Sequence, residues 1–422
     1  MKQRPTWLFV CYGGGHVKAL LPVAERVRAL GVAEPLMLAL TTAAPIARAR
    51  GVPTLGFRDL LEPGDHLALA IGERLADQLT VQAAERDESV AYLGLSYTDL
   101  EQRHGAAEAA ERYARYGRLA FLPLTVLERA LRRVQPALVL ATNSPRAEQA
   151  AIESARALGI PSLCLLDLFG IWERERLVRA DYADALCVLN EAVRAAFIAA
   201  GRPPEQVFAT GNPAFDGLRD PTLPALGAGL RREAGFEGKY VLLLATSSEP
   251  ARVPGITAVG DPQWPRRIEQ RLIETVRGDP RLALWLRRHP SEPPADVVAA
   301  LAHPRIRVAG AEVPLHAWLH AGDEVLVTVS TVGVEAALAG RPVTQVRGSI
   351  LDGLSPFDRM GVATRTVGWD ELGSAWSGPL MGLSKEQNLP SDLALSATDA
   401  VLDVARRLQL GGRVYETARH RT

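Results

Sequence analysis

A repeated local pattern constrains this chain more than any other feature. "TWLFVCY" is a short apolar run rich in aromatic and branched residues, followed by "GGGH" and then by "VKALLPVAERVRALG", whose apolar positions recur at helical spacing and stop at Gly31. The pattern returns in "PLMLAL" with "TTAAPIARARG", in "PALVLATN" with "SPRAEQAAIESARALG", in "PSLCLLD", and in "ALCVLN" with "EAVRAAFIAAG" and "VFATGNP". Buried strands alternating with amphipathic helices predict open parallel sheets wrapped by helices, with right-handed crossovers.

Residues 60–132 break the pattern. "DHLALAIGERLADQLTVQAAERDESV" and "GAAEAAERYARYGRLAFLPLTVLERALRRV" carry long helical patterns with few strand signals, which predicts a helical insertion in the first domain. The Gly- and Pro-containing stretch 219–238 reads as a linker. Beyond it "YVLLLATSS", "WPRRIEQRLIETVRGD", "LALWLRRHP", "ADVVAALAHP", "IRVAG", "VPLHAWLHAG", "EVLVTVS", "TVGVEAALAG" and "PVTQV" resume the alternation. The length, 422 residues, exceeds what a single core usually supports. The expectation is therefore α/β: two doubly wound Rossmann-like domains, 1–218 and 239–422, facing a central cleft, with ligands beyond the carboxyl ends of the strands.

Composition narrows the function classes. Lys+Arg and Asp+Glu number 48 each, so no bulk basic field points to nucleic acid or to an anionic membrane. Cys11, Cys164 and Cys187 sit in apolar settings, an odd count without metal-ligand spacing, and read as core thiols of a reducing compartment. The opening apolar run is too short for a membrane span and lacks a small-residue cleavage site, which places the expected location in the cytoplasm. No metal and no cofactor are called for.

Polar residues fall where the predicted strands end. The first domain contributes Gly13, Gly14, Gly15 and His16, then Asn143, then Asp167; the second contributes Ser247, Ser248, His289 and Ser330. In "VSTVGVEAALAG", Ser330 or Thr331 caps a helix whose unpaired N–H groups form an anion site, with Gly333 in its first turn. Glu335, the only charge in that helix, is placed to accept both hydroxyls of a ribose. In "LRRHP" the proline sets a sharp exit after His289, and Arg287 and Arg288 add positive potential for a phosphate. Each residue also has an ordinary reading: glycine and serine as turn formers, Glu335 as a solvated partner in a capping box, His289 and His16 as structural groups. His316 and His320 lie one turn apart without the glutamate of a zinc-protease helix between them.

These stretches resemble a known superfamily. "CYGGGHVKALLPVAERVRALG" is similar to the opening of GT-B sugar-nucleotide enzymes, which include the lipid-linked N-acetylglucosaminyltransferase of peptidoglycan synthesis and the UDP-N-acetylglucosamine 2-epimerases. "VLNEAVRAAFIAAGRPPEQVFATGNPAFD" resembles the segment closing the first domain of those epimerases and of the Kdo transferases. "RRHPSE" with the downstream Ser-Thr pair is similar to the Kdo transferases and the bacterial sialyl and capsule transferases, where such groups hold the phosphate of a CMP-activated acidic sugar. The chain departs from the epimerases at two places. Asn143 stands where they carry an acidic residue, and "LCLLDLFG" stands where they carry a His-Val-Glu stretch.

The resemblance implies a metal-independent GT-B glycosyltransferase, with the nucleotide on the second domain and the acceptor on the first. Asp167 is the expected base, with Glu173, Glu175, Asp65 and Glu62 as competitors. A CMP-activated nonulosonic or ulosonic acid is the favoured donor and a UDP-N-acetylhexosamine the next. A cell-surface glycan or its precursor, in free or glycolipid form, is the expected acceptor, which leaves room for peripheral membrane association. A UDP-sugar 2-epimerase, a nucleotide-sugar hydrolase and a non-catalytic sugar-nucleotide-binding protein remain as alternatives.

Overall fold

The structure is a computed structural model that describes residues 4–78, 85–253, 256–289, 303–310, 312–378 and 396–411. The chain divides into two compact units, Met1–Asp216 together with Leu393–Thr422, and Gly217–Asp392.

The first unit holds a seven-stranded sheet in the order β3-β2-β1-β4-β5-β6-β7. Its strands are β1 (Thr6–Tyr12), β2 (Glu34–Leu40), β3 (Thr54–Leu55), β4 (Leu138–Thr142), β5 (Ser162–Leu165), β6 (Ala185–Val188) and β7 (Val207–Ala209), and every pairing is parallel. Both faces are covered by α1 (Gly13–Ala29), α2 (Ala43–Ala49), α7 (Ala147–Ala157), α8 (Arg174–Leu177) and α9 (Glu191–Ala199). Between β3 and β4 the chain inserts α3 (His66–Ala76), α4 (Arg86–His104), α5 (Ala106–Tyr116) and α6 (Leu124–Val134), as the helical periodicity of that region predicts. All residues of β4, β5 and β6 are buried, as a parallel sheet covered on both faces requires.

The second unit holds a six-stranded parallel sheet, β10-β9-β8-β11-β12-β13. Its strands are β8 (Tyr240–Ala245), β9 (Leu282–Arg287), β10 (Ile306–Val308), β11 (Glu324–Val327), β12 (Val343–Val346) and β13 (Arg365–Val367). Its helices are α10 (Leu223–Glu233), α11 (Trp264–Gly278), α12 (Leu315–Ala321), α13 (Thr331–Leu338) and α14 (Trp369–Leu372). In each sheet the strand order reverses direction next to the first strand, between β1 and β4 and between β8 and β11. That reversal opens a crevice at the carboxyl ends, where α/β sheets bind ligands.

Two features depart from the sequence expectation. Residues 219–238 are not a bare linker, because α10 occupies most of them and packs on α12, with Gly227 so close to His320 that no side chain fits. A proline in the first turn of α10 is compatible with a helix, so the Gly and Pro count misleads there. The chain end also leaves the second unit. Helix α15 (Ala397–Gln409) packs on α1, and its Val401, Leu402, Val404, Ala405 and Leu408 join the first unit's core. The short helix expected at 295–304 lies almost wholly outside the described residues. Among the described residues no helix is long and apolar enough to cross a membrane. The three cysteines are buried and unpaired, and burial pushes all three thiols far up.

Candidate functional site

Two clusters stand at the two sheet crevices. In the first unit, parallel register brings Tyr12, Thr142 and Leu165 to the same rim, so the residues that follow each strand meet there. Gly13 turns the chain from β1 into α1 with φ +70°, a conformation that favours glycine. Helix α1 has no side-chain cap, so no capping side chain serves its first backbone N–H groups, and a Cβ on Gly15 would meet no atom within 4 Å. His16 follows in the first turn, with a buried Nδ1 that finds no hydrogen-bond partner. Burial lowers its pKa below the ordinary value; Asp167 opposes that shift and Arg146 adds to it.

Asp167 is held from both sides along its main chain. Its N–H donates to Asn143 Oδ1 at 2.9 Å and its carbonyl accepts from Asn212 Nδ2 at 2.9 Å. The carboxylate accepts the N–H of Leu168 at 2.7 Å and caps no helix. Asn143, expected in the acceptor or donor-phosphate loop, holds the Asp167 main chain in this structure. Among the competitors, Glu173 stays close: burial raises its pKa, Arg176 opposes this, and the charge of Asp167 adds to it. Glu175 is exposed. Asp65 and Glu62 are both tied to Arg129, at 2.9 and 3.2 Å, within the helical insertion.

Three residues of this rim escaped the sequence reading. Glu148, in the first turn of α7, is only 1% exposed; burial pushes its carboxyl up to about 7, against the backbone N–H groups of Glu148 and Tyr12 and the guanidinium of Arg146. Arg146, immediately before α7, has φ +73° and ψ −114°, backbone that costs a non-glycine residue about 1–3 kcal/mol, and its guanidinium lies 4.3 Å from the Tyr12 ring centroid. Arg176 donates to the Asn143 carbonyl. Buried polar atoms without a hydrogen-bond partner gather in this neighbourhood: His16 Nδ1, Tyr92 Oη, Thr142 Oγ1, Arg146 Nε, Glu148 Oε1 and Arg176 Nε. Unsatisfied groups are rare in native interiors, so such a concentration of donors and acceptors marks a site that expects a polar ligand or ordered water. For Arg146 and Glu148 the only sequence signal was position, a few residues beyond the end of β4.

In the second unit Ser247, just past β8, shares a 2.7 Å hydrogen bond with Thr328, just past β11, across the strand-order reversal. Ser248 beside it is exposed. Ser330 caps α13, its Oγ accepting from the Val332 N–H at 3.3 Å, and Thr331 is exposed at the helix start. His289 is exposed at the end of β9, with its N–H donating to Thr246 Oγ1 at 3.2 Å. Gly333 has a packing role: a Cβ there would meet Phe357 and Val327 at 2.8 Å, so its absence seats α13 against β11.

The charges around His289 correct two expectations. Arg288 is not available as positive potential, because it pairs at 2.6 Å with the buried Glu269. Arg287 donates to the Val313 carbonyl at 2.8 Å; burial lowers its pKa and the charge of Glu335 partly restores it. His316 pairs with Glu335 at 3.2 Å, so Glu335 is not a solitary solvated charge. Pro290, Ser291 and Glu292 of "HPSE" lie outside the described residues. A cavity of about 450 Å³, lined by Arg156, Asp181, Tyr182, Asp184, Glu205 and Gln206 among others, lies at the amino-terminal edge of β5–β7, away from both rims. Among the described residues no group of three or more His, Cys, Asp or Glu side chains is arranged to hold a metal ion.

No family model and no curated protein matches the chain. Solved structures do. The MurG of Acinetobacter baumannii aligns with a TM-score of 0.55 and 14% identity, over 95% of this chain and 99% of that one. The UDP-GlcNAc 2-epimerase of Methanocaldococcus jannaschii, in complex with UDP-GlcNAc and UDP, gives 0.53 and 13% over 96% and 100%. That of Neisseria meningitidis, bound to UDP-GlcNAc, gives 0.52 and 13% over 88% and 90%. At such identities the likeness establishes the fold: two parallel α/β sheets in the GT-B, Rossmann-like plan.

Proposed function

We propose that the protein is a nucleotide-sugar enzyme that transfers the sugar to an acceptor hydroxyl. The observation that carries this reading is the Ser247–Thr328 hydroxyl pair at the second unit's strand-order reversal, immediately ahead of the capped start of α13. Hydroxyls and helix N–H groups together suit a phosphate, and they favour it most as negative charge develops on the departing oxygen. His289 adds a donor at the same rim, and Glu335 lies about one turn into the helix, where a ribose would present its hydroxyls. In the first unit Asp167, held rigidly by Asn143 and Asn212, is the base that takes the acceptor proton. A cell-surface glycan or its precursor remains the proposed acceptor.

The donor order changes with the structure. The preference for a CMP-activated acidic sugar leaned on the His-Pro and Ser-Thr pieces, and the arginines expected to support His289 at a phosphate are engaged elsewhere. A UDP-N-acetylhexosamine becomes the first choice, supported by relatives in fold described with UDP-GlcNAc. A second reading, UDP-sugar 2-epimerase, gains from Glu173, which supplies the second carboxylate beside Asp167 that this chemistry needs.

A thermal-shift panel of UMP, UDP, CMP, CDP and GDP tests the nucleotide; ligand at roughly a hundredfold excess over Kd stabilises by about 2.7 kcal/mol. Uridine nucleotides are expected to shift the transition, Ser330→Ala to weaken that shift, and Asp167→Asn to keep it while abolishing turnover. Incubation with UDP-GlcNAc in deuterated water separates the readings: deuterium at sugar C2 identifies an epimerase, acceptor-dependent UDP release a transferase. Absence of any nucleotide-induced shift rejects both.

A further inference from the structure

We propose that Arg146 and Glu148 are positioning residues of the first unit's site, gripping Tyr12 from its ring and its main chain and so setting the Gly13–His16 turn. The inference rests on the sugar-transfer reading above and deepens it. Tyr12 is the last residue of β1, and Gly13 immediately turns the chain into α1, so whatever fixes Tyr12 fixes the direction in which that turn's N–H groups point.

Three observations converge. Arg146 occupies backbone that glycine adopts without penalty, and it makes no side-chain capping bond to α7; a glycine, serine or aspartate would begin this helix better. What the arginine does instead is lie over the Tyr12 ring at 4.3 Å. Two residues on, the buried Glu148 carboxyl faces the Tyr12 backbone N–H, while its Oε1 and the Arg146 Nε remain without hydrogen-bond partners. A local requirement of α7 explains none of these, whereas a requirement of the neighbouring turn explains all three. Strain held in place beside a cluster of unsatisfied groups is the expected signature of a residue kept for function.

The test measures Tm together with kcat and KM for nucleotide release from UDP-GlcNAc and from a CMP-activated nonulosonic acid, in the full-length protein with a cell-surface glycan preparation supplied as acceptor. Arg146→Gly relieves the backbone and removes the ring contact. The expected result is an unchanged or higher Tm, with kcat lowered at least about tenfold and donor KM within about twofold of wild type. Glu148→Ala is expected to lower kcat by a similar factor. Glu148→Gln, which still accepts from Tyr12, is expected to recover part of that loss and to flatten the kcat profile around pH 7. Wild-type turnover in Arg146→Gly, a clear fall in its Tm, or equal defects in Glu148→Ala and Glu148→Gln would each overturn the proposal. A wild-type protein that releases nucleotide from neither donor sinks the functional reading, and the positioning role with it. Active wild type with fully active variants sinks the positioning role alone.

Discussion

Glu148 makes the first unit's stability depend on pH in a direction opposite to that of most carboxylates. Its folded-state value, about 7, lies above the ordinary 4.5, so the native state holds the proton longer than the unfolded chain does. The associated stability is fully present below pH 4.5 and is lost as pH rises through 7, a difference on the order of 3 kcal/mol. Glu148→Gln is therefore expected to match wild type in urea denaturation at pH 4.5 and to exceed it at pH 8; equal stability at both pH values would reject the assignment. The residue was illegible in the sequence, because an acidic side chain in a helix's first turn ordinarily faces water. Its burial comes from elsewhere in the chain: Tyr92 of α4 lies within electrostatic reach of Arg146, Glu148 and Tyr12.

Elements were more legible than sites, and the helical insertion shows why. The pattern of residues 60–132 identified helices, yet only packing shows how α3 and α4 meet: a Cβ on Gly72 would lie 2.1 Å from the Val90 carbonyl oxygen, and one on Gly94 2.0 Å from that of Ala68. The two backbones touch at paired glycines, which no periodicity reveals. Gly94→Ala is expected to cost about 1–3 kcal/mol, or more if the helices cannot separate, measured as a lowered thermal midpoint. An unchanged midpoint would mean the crossing is looser than the contact distances indicate. Strands β3 and β13 passed unnoticed because two or three residues are too few to establish an alternation.

Helix α15 ties the chain beyond the second unit back to the first unit. Asp216, at the boundary between the units, accepts the N–H groups of Ala397 and Thr398 at 2.8 and 2.9 Å and so caps α15, while Arg26 pairs with Asp399 at 2.7 Å. Asp216→Ala is expected to lower the first unit's stability by about 1–2 kcal/mol and to make α15 an early site in limited proteolysis, with the second unit's transition unaffected. Protection equal to wild type would show that apolar packing on α1 suffices.

By itself the sequence determined the α/β class, the two sheets and the rims on which polar residues gather, because each follows from local periodicity and from what stands at the end of an apolar run. Tertiary structure alone decided that α15 returns to the first unit, that Glu335 meets His316 and Arg288 meets Glu269, and that Arg146 and Glu148 close on Tyr12. These are matters of burial and pairing between residues far apart in the chain, and no local pattern encodes them.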